Sequence, residues 1–305
     1  MLYQKLNKPE YWFRPGQIFQ KLGYVCGRYD SMNTVKLRLP WGTMLQVNPH
    51  ETIGKNLAVL GVYELAVSEL LWRLTEPGEW CLDIGANIGY MTSLLAAKTQ
   101  AGGKVFSFEP HPVIFERLQN NVQAMANGSS APVQVYPIAL GATAGKTNLV
   151  EPEGFDSNEG NAKLTDNLPT ANNSYQIDIT RLDSVFSKNE RFGVAKVDVE
   201  GWELSVFQGA EQLLANKRIR DIVFEDFAAF PSDTVKFLQG KGYTIFQVAK
   251  KIMGPHIVPP TQPDARDLLL PYEPVNYLAT IDPQRAIKIL QPRGWFCLQA
   301  KTTPA

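Results

Sequence analysis

From Trp80 onward the chain alternates short runs of β-branched and aromatic residues with stretches of helical periodicity, and this order constrains the fold more than any other feature. The strand-like runs fall at 80–84, 104–109, 133–138, 194–199, 221–225 and 243–248, with helical patterns over 90–98, 113–126, 203–215 and 233–239 between most of them. A strand, a helix and a second strand close as a right-handed crossover, so the repetition predicts an α/β fold: a mostly parallel sheet with helices on both faces. A last strand is expected at 295–299.

The segment ahead of this pattern reads differently. Apolar residues alternate on either side of Pro40-Trp41-Gly42, which predicts a β-hairpin within an N-terminal extension over 1–55. A single helix is expected over 56–74, stopped by Pro77-Gly78, and it opens the main domain at 56–305. Two stretches interrupt that domain: an Asn/Asp/Gly/Ser-rich candidate lid at 154–174 and a proline-rich insertion at 254–294.

Charge and composition exclude several classes. Lys plus Arg is 30 and Asp plus Glu is 30, so the field that draws nucleic acid or anionic lipid is missing. No apolar stretch reaches a membrane span, and the first residues lack a signal peptide's apolar run, so the expected location is the cytoplasm. Cys26, Cys81 and Cys297 are too far apart for a disulfide framework or a Cys-x-x-Cys metal site.

In open α/β sheets ligands gather beyond the carboxyl ends of the strands. The first strand of the main domain runs into Asp83-Ile84-Gly85-Ala86-Asn87-Ile88-Gly89, a glycine turn into a helix. Asp83 would repel a pyrophosphate and suits a cationic ligand. Glu109 ends the next strand, 109 − 89 = 20 residues after Gly89, at the distance where a carboxylate accepts both hydroxyls of a ribose. Together these residues describe a nucleoside with a cationic, phosphate-free tail, which fits S-adenosylmethionine.

The motifs around 83–90, 108–112, 139–141, 179–183 and 196–203, in that order, resemble those of FkbM-type class I methyltransferases, with a Rossmann-like sheet. The resemblance implies that Asp83, Gly85, Asn87 and Gly89 surround the methionine moiety, that Glu109 holds the ribose, and that the turn at Ala139 lies near the adenine. It also matches Glu64 to an aromatic-Glu pair on the methionine side. His111 reads as a helix-start residue, and Trp202 stands where the family often has a smaller side chain.

Alternation along 194–199 places Lys196, Asp198 and Glu200 on one side of a buried strand, a charged row that needs partners or a function. Methyl transfer to oxygen needs alignment and a base for the hydroxyl proton, with Asp198 or Glu200 as candidates. An alternative use of Asp198, Glu200 and Glu225 is to hold Mg²⁺. The chain lacks the Asn/Asp-Pro-Pro-aromatic and Pro-Cys motifs expected of nucleic-acid methyltransferases. The expected acceptor is therefore a small hydroxylated molecule, a sugar or natural product, without nucleic acid or membrane partners. A nicotinamide-dependent dehydrogenase and a cofactor-binding protein without turnover are the other readings.

Overall fold

The structure is a computed structural model that describes residues 8–125, 129–165, 174–186, 189–228, 230–259 and 276–299. Parts of the expected lid and insertion, 166–173 and 260–275, lie outside the described residues, as does Ala126 at the end of one expected helix.

In chain order the strands are β1 (Val35–Arg38), β2 (Met44–Val47), β3 (Trp80–Ile84), β4 (Lys104–Phe108), β5 (Val133–Tyr136), β6 (Ala139–Leu140), β7 (Gly145–Val150), β8 (Lys163–Thr165) and β9 (Ser174–Thr180). They continue with β10 (Phe192–Val197), β11 (Ile219–Glu225), β12 (Thr244–Lys251), β13 (Gly254–Val258) and β14 (Asn276–Thr280). Among the described residues the central sheet runs β13-β12-β14-β11-β10-β3-β4-β5. Its half from β11 to β5 is parallel throughout, whereas β14 lies antiparallel between β11 and β12, and β13 pairs antiparallel with β12. The chain steps outward from β3 to β5 and then returns to the other side of β3 with β10. That reversal makes a topological switch point, and a crevice opens beyond the carboxyl ends of β3 and β10.

Each face of the sheet is covered. Leu70, Leu71 and Leu74 of the helix Leu65–Leu74 and Leu94 and Leu95 of the helix Tyr90–Thr99 pack on one face. The hairpin joins that same core through Leu39, Trp41, Leu45 and Val47, and Trp41 Nε1 donates to Ser93 Oγ at 3.1 Å. On the other face Phe207, Leu213, Leu214, Val235 and Leu238 meet Leu82, Ile84, Ala195 and Val197.

Three expectations are corrected. The run at 56–74 forms two helices, Thr52–Leu60 and Leu65–Leu74, because Gly61 caps the first in the left-handed region (φ 77°). The 203–215 run likewise divides into Glu203–Gly209 and Glu211–Ala215. The stretch 295–299 is not a strand: Phe296–Gln299 is a 3₁₀ turn, and the amides of Phe296 and Cys297 donate to the Glu69 carboxylate at 2.7 and 2.8 Å instead of to a ladder. Two strands of the central sheet, β13 and β14, come from the stretch read as an insertion. Between β5 and β10 the chain also builds a second sheet, ordered β6-β9-β7-β8.

Candidate active site

A cavity of about 890 Å³ lies at the switch point, near the top of the roughly 300–1,000 Å³ range of ligand pockets. Glu64, Gly85, Asn87, Glu109, Ala139, Asp198, Glu200 and Glu225 all line it. The sequence reading thus named eight residues that the fold gathers around one space.

Asp83 and Gly89 are not on its wall. Asp83 sits in the middle of the sheet, where Thr92 Oγ1 donates to its Oδ2 at 2.6 Å and Ser107 Oγ lies 2.8 Å from the same threonine hydroxyl. Its Oδ1 is buried without a hydrogen-bond partner among the described residues. Burial pushes the Asp83 carboxyl up, while the ammonium of Lys196, its register partner on β10, opposes the shift. Gly89 serves packing: a Cβ there would lie 2.8 Å from Leu118 Cδ1. The same holds for Gly85, where φ is +78° and a Cβ would fall 1.8 Å from the carbonyl oxygen of Asp198. The glycine turn lets two segments of the chain pass each other.

The amides of that turn are already committed. Gly85 N and Ala86 N donate to Phe108 O at 3.0 Å, and Gly89 N donates to Ala86 O at 2.9 Å. Asn87 N donates to Glu109 Oε2 at 2.9 Å, and Ile88 N donates to Asn87 Oδ1 at 2.7 Å. A pyrophosphate would need some of these donors, so the turn is unsuited to a dinucleotide. Glu109 Oε1 also accepts from His111 N at 2.9 Å. Its carboxylate is therefore fixed by two backbone amides at the cavity wall, and burial pushes the carboxyl up to about 7. His111 stands just before the helix Pro112–Met125, accepts from Ile114 N through Nδ1, and reaches Glu151 with its other ring nitrogen at 2.9 Å.

Other parts of the wall are built from broken elements. Glu64, between the two helices that replace the single one expected, has φ 42°; Asn87 has φ 48° and Glu200 φ 51°. Non-glycine residues avoid this region unless the surroundings impose it, and here all three line the cavity. Tyr63 N donates to Tyr90 Oη at 3.1 Å and Ser68 Oγ donates to Tyr63 O at 2.8 Å, which pins the turn carrying Glu64. Glu203 Oε1 accepts from Val199 N and Gly201 N at 3.1 and 3.2 Å, pinning the turn that carries Glu200. Nothing in local sequence pattern announces Tyr63 or Glu203 in these roles; both follow from where the helices begin.

Lys196 Nζ donates to Asp198 Oδ2 at 3.0 Å and to Gly85 O at 3.2 Å, and the neighbouring carboxylates hold its ammonium firmly charged against the cost of burial. Glu200 is pushed up to about 7, by burial first and then by Asp198. Glu225 is pushed up further by burial and by the charges of Asp198, Glu64 and Glu200. The expected metal set is also rearranged. Among the described residues the carboxylates that come within 4.8 Å of one another are Glu64, Asp198 and Glu225, and Glu200 stands outside that group.

A family profile described as the methyltransferase FkbM domain matches residues 83–245. The chain belongs to the FkbM methyltransferase family. It is 29% identical over 177 residues to the hexuronic acid methyltransferase AglP of Haloferax volcanii, a match covering 57% of this chain and 67% of AglP. It is 33% identical over 125 residues to the methyltransferase sdnD of Sordaria araneosa, covering 41% of this chain and 45% of sdnD. Among solved structures, an S-adenosylmethionine-dependent O-methyltransferase from Thermotoga maritima superposes with a TM-score of 0.40 at 13% identity, over 72% of this chain and 65% of that one.

The FkbM fold implies S-adenosylmethionine as methyl donor, and the residues present fit it. Glu109 offers fixed carboxylate oxygens for hydroxyls, Ile138, Ala139, Leu140 and Phe108 offer an apolar wall for a base, and the carboxylates offer charge for a cation. Neither the fold nor the family match excludes a nucleic-acid acceptor. Among the described residues no helix is long and apolar enough to cross a membrane.

Proposed function

We propose that this methyltransferase transfers a methyl group to a hydroxyl oxygen of a small acceptor of sugar or sugar-acid type, with Glu200 as the base. The observation that carries the reading is the pairing of the two candidate carboxylates. Asp198 is engaged by Lys196, whereas among the described residues no such cation is bonded to Glu200, which is held in a left-handed turn on the cavity wall. S-adenosylmethionine, when bound, supplies a methyl group activated for displacement. The chain supplies the rest: Glu109 orients the nucleoside, Asn56, Asn158, Asn161 and Asn276 lie along the cavity wall, and Glu200 accepts the proton that the attacking hydroxyl releases.

Three further facts support a small acceptor. The cavity is large enough for donor and acceptor together, the equal counts of 30 basic and 30 acidic residues provide no field for a polyanion, and AglP is named for hexuronic acid. The test is incubation of the protein and labelled S-adenosylmethionine with hexuronic acids, neutral sugars and RNA. Label in an ether on a sugar or sugar acid is expected, together with a fall of at least about a hundredfold in kcat for Glu200→Gln at unchanged S-adenosylhomocysteine affinity. Label in RNA alone, or full activity in Glu200→Gln, would overturn the reading.

A further inference from the structure

We infer that Glu64, Asp198 and Glu225 form a site for one hard divalent cation on the wall of the cavity. The inference rests on the proposed reaction for its use, but the site itself stands on geometry. The three residues come from separate places: the turn between two helices, the loop after β10, and the last residue of β11. One carboxylate oxygen of each lies within 4.8 Å of the others. Two ligands of one ion can be no farther apart than twice the metal–oxygen distance, about 4.2 Å for Mg²⁺ and about 4.6–5.2 Å for Ca²⁺. The constellation is therefore already the size of a calcium-like site, and a small contraction suits it to magnesium or manganese.

Glu225 supplies the second, independent sign. Its residue is only 6% exposed, it faces the cavity, and among the described residues no donor hydrogen-bonds its carboxylate. A buried carboxylate ordinarily takes two or more donors, because leaving it unpartnered is costly. Glu109, on the same wall, and Glu203, behind the turn that carries Glu200, each have two amides. Lys196 occupies Asp198 Oδ2, so Asp198 Oδ1 is the oxygen left for the ion. An ion here would bind the acceptor hydroxyl beside Glu200 and make its proton easier to remove.

The test uses the full chain freed of metal with a chelator and titrated with Mn²⁺, followed by the electron paramagnetic resonance of the free ion, with Mg²⁺ and Ca²⁺ as competitors. One saturable site per chain is expected, weakened at least about tenfold in both Glu225→Gln and Glu64→Gln, and unchanged in Asp178→Asn, whose carboxylate is exposed on β9. Thermal melting of each variant confirms that it folds. Absence of saturable binding, or native affinity in both folded variants, would overturn the site. So would variants that lose S-adenosylhomocysteine affinity while the native chain binds no metal, since the carboxylates would then serve the donor's cation. S-adenosylhomocysteine binding to the chelated native chain keeps this outcome apart from a failure of the methyltransferase reading itself.

Discussion

Replacing Glu109 by alanine should separate the residue's two duties. Its oxygens accept from Asn87 N and His111 N, both at 2.9 Å, in a residue 6% exposed. Losing them leaves two shielded amides unpartnered, at about 1–3 kcal/mol each, and this loss falls on folding. The hydroxyls of a bound ribose lose hydrogen bonds to a charged acceptor, about 1.5–3 kcal/mol each, and this loss falls on binding. Two such bonds at the lower bound give about 3 kcal/mol, or about a hundredfold in Kd for S-adenosylhomocysteine.

The pH dependence carries a definite sign. Burial raises the Glu109 carboxyl from 4.5 to about 7, outweighing the two amides and Lys196. Only the ionised form accepts from both hydroxyls, so affinity is full above about pH 7 and falls by up to about tenfold per unit below it. The contribution to folding runs the other way: a raised carboxyl favours the fold below 4.5 and loses that contribution as pH rises through about 7. Calorimetric titration from about pH 5.5 to 8.5 reads the first effect, and Glu109→Gln should flatten it. A native affinity independent of pH, or a Glu109→Ala affinity within about threefold of native, would refute the reasoning.

Four other outcomes follow from single contacts. Gly85→Ala places a Cβ 1.8 Å from Asp198 O at φ +78°, so the fold should lose at least about 2 kcal/mol; an unchanged Tm would show that the strand ends move apart freely. Arg73→Ala breaks a buried pair with Glu69, whose other bonds hold the 3₁₀ turn at Phe296–Gln299, and should cost about 3–5 kcal/mol in urea unfolding. In contrast, Lys146→Ala at the exposed Asp178 pair should cost less than about 1 kcal/mol. Glu203→Ala should lower kcat about tenfold or more while Glu203→Gln keeps most of it, because one oxygen suffices for the amides of Val199 and Gly201; equal losses in both would point to charge rather than positioning.

The parts of the fold that sequence made legible are those where a residue's own neighbours decide its state. β3, β4 and β11 are bounded by turn residues and alternate or run apolar through a covered sheet, so their carboxyl ends, and with them Glu109 and Glu225, were placed correctly. Failures came where a distant group intervened. Trp295 to Gln299 has the composition of a strand, yet the Glu69 carboxylate takes the amides a ladder would need. Asp83, which the resemblance puts around the methionine moiety, accepts from Thr92 and stands in register with Lys196 inside the sheet, off the cavity wall. Glu64 was named through the resemblance, but the break that carries it was hidden for a different reason: periodicity runs on across Gly61, and only the left-handed cap shows that the helix stops there.

The backbone at Glu64, Asn87 and Glu200 points to how an acidic crevice is kept in a chain of zero net charge. Each left-handed residue costs of the order of 1 kcal/mol or more and persists because bonds behind it fix the turn. For Glu64 the bonds are those of Tyr90 and Ser68 to Tyr63, for Asn87 the carboxylate of Glu109, and for Glu200 that of Glu203. A relaxed backbone at any of the three would let the carboxylates separate and rehydrate, which their mutual repulsion favours. The turns prevent this, and Lys196 pairs with one of the carboxylates, Asp198. What is left is a group of carboxylates in a partly desolvated space, where Coulomb forces are several times stronger than in water. Such a crevice favours a cationic occupant whatever the acceptor is, and the strain stored in its three turns measures how much the fold gives up to keep it so.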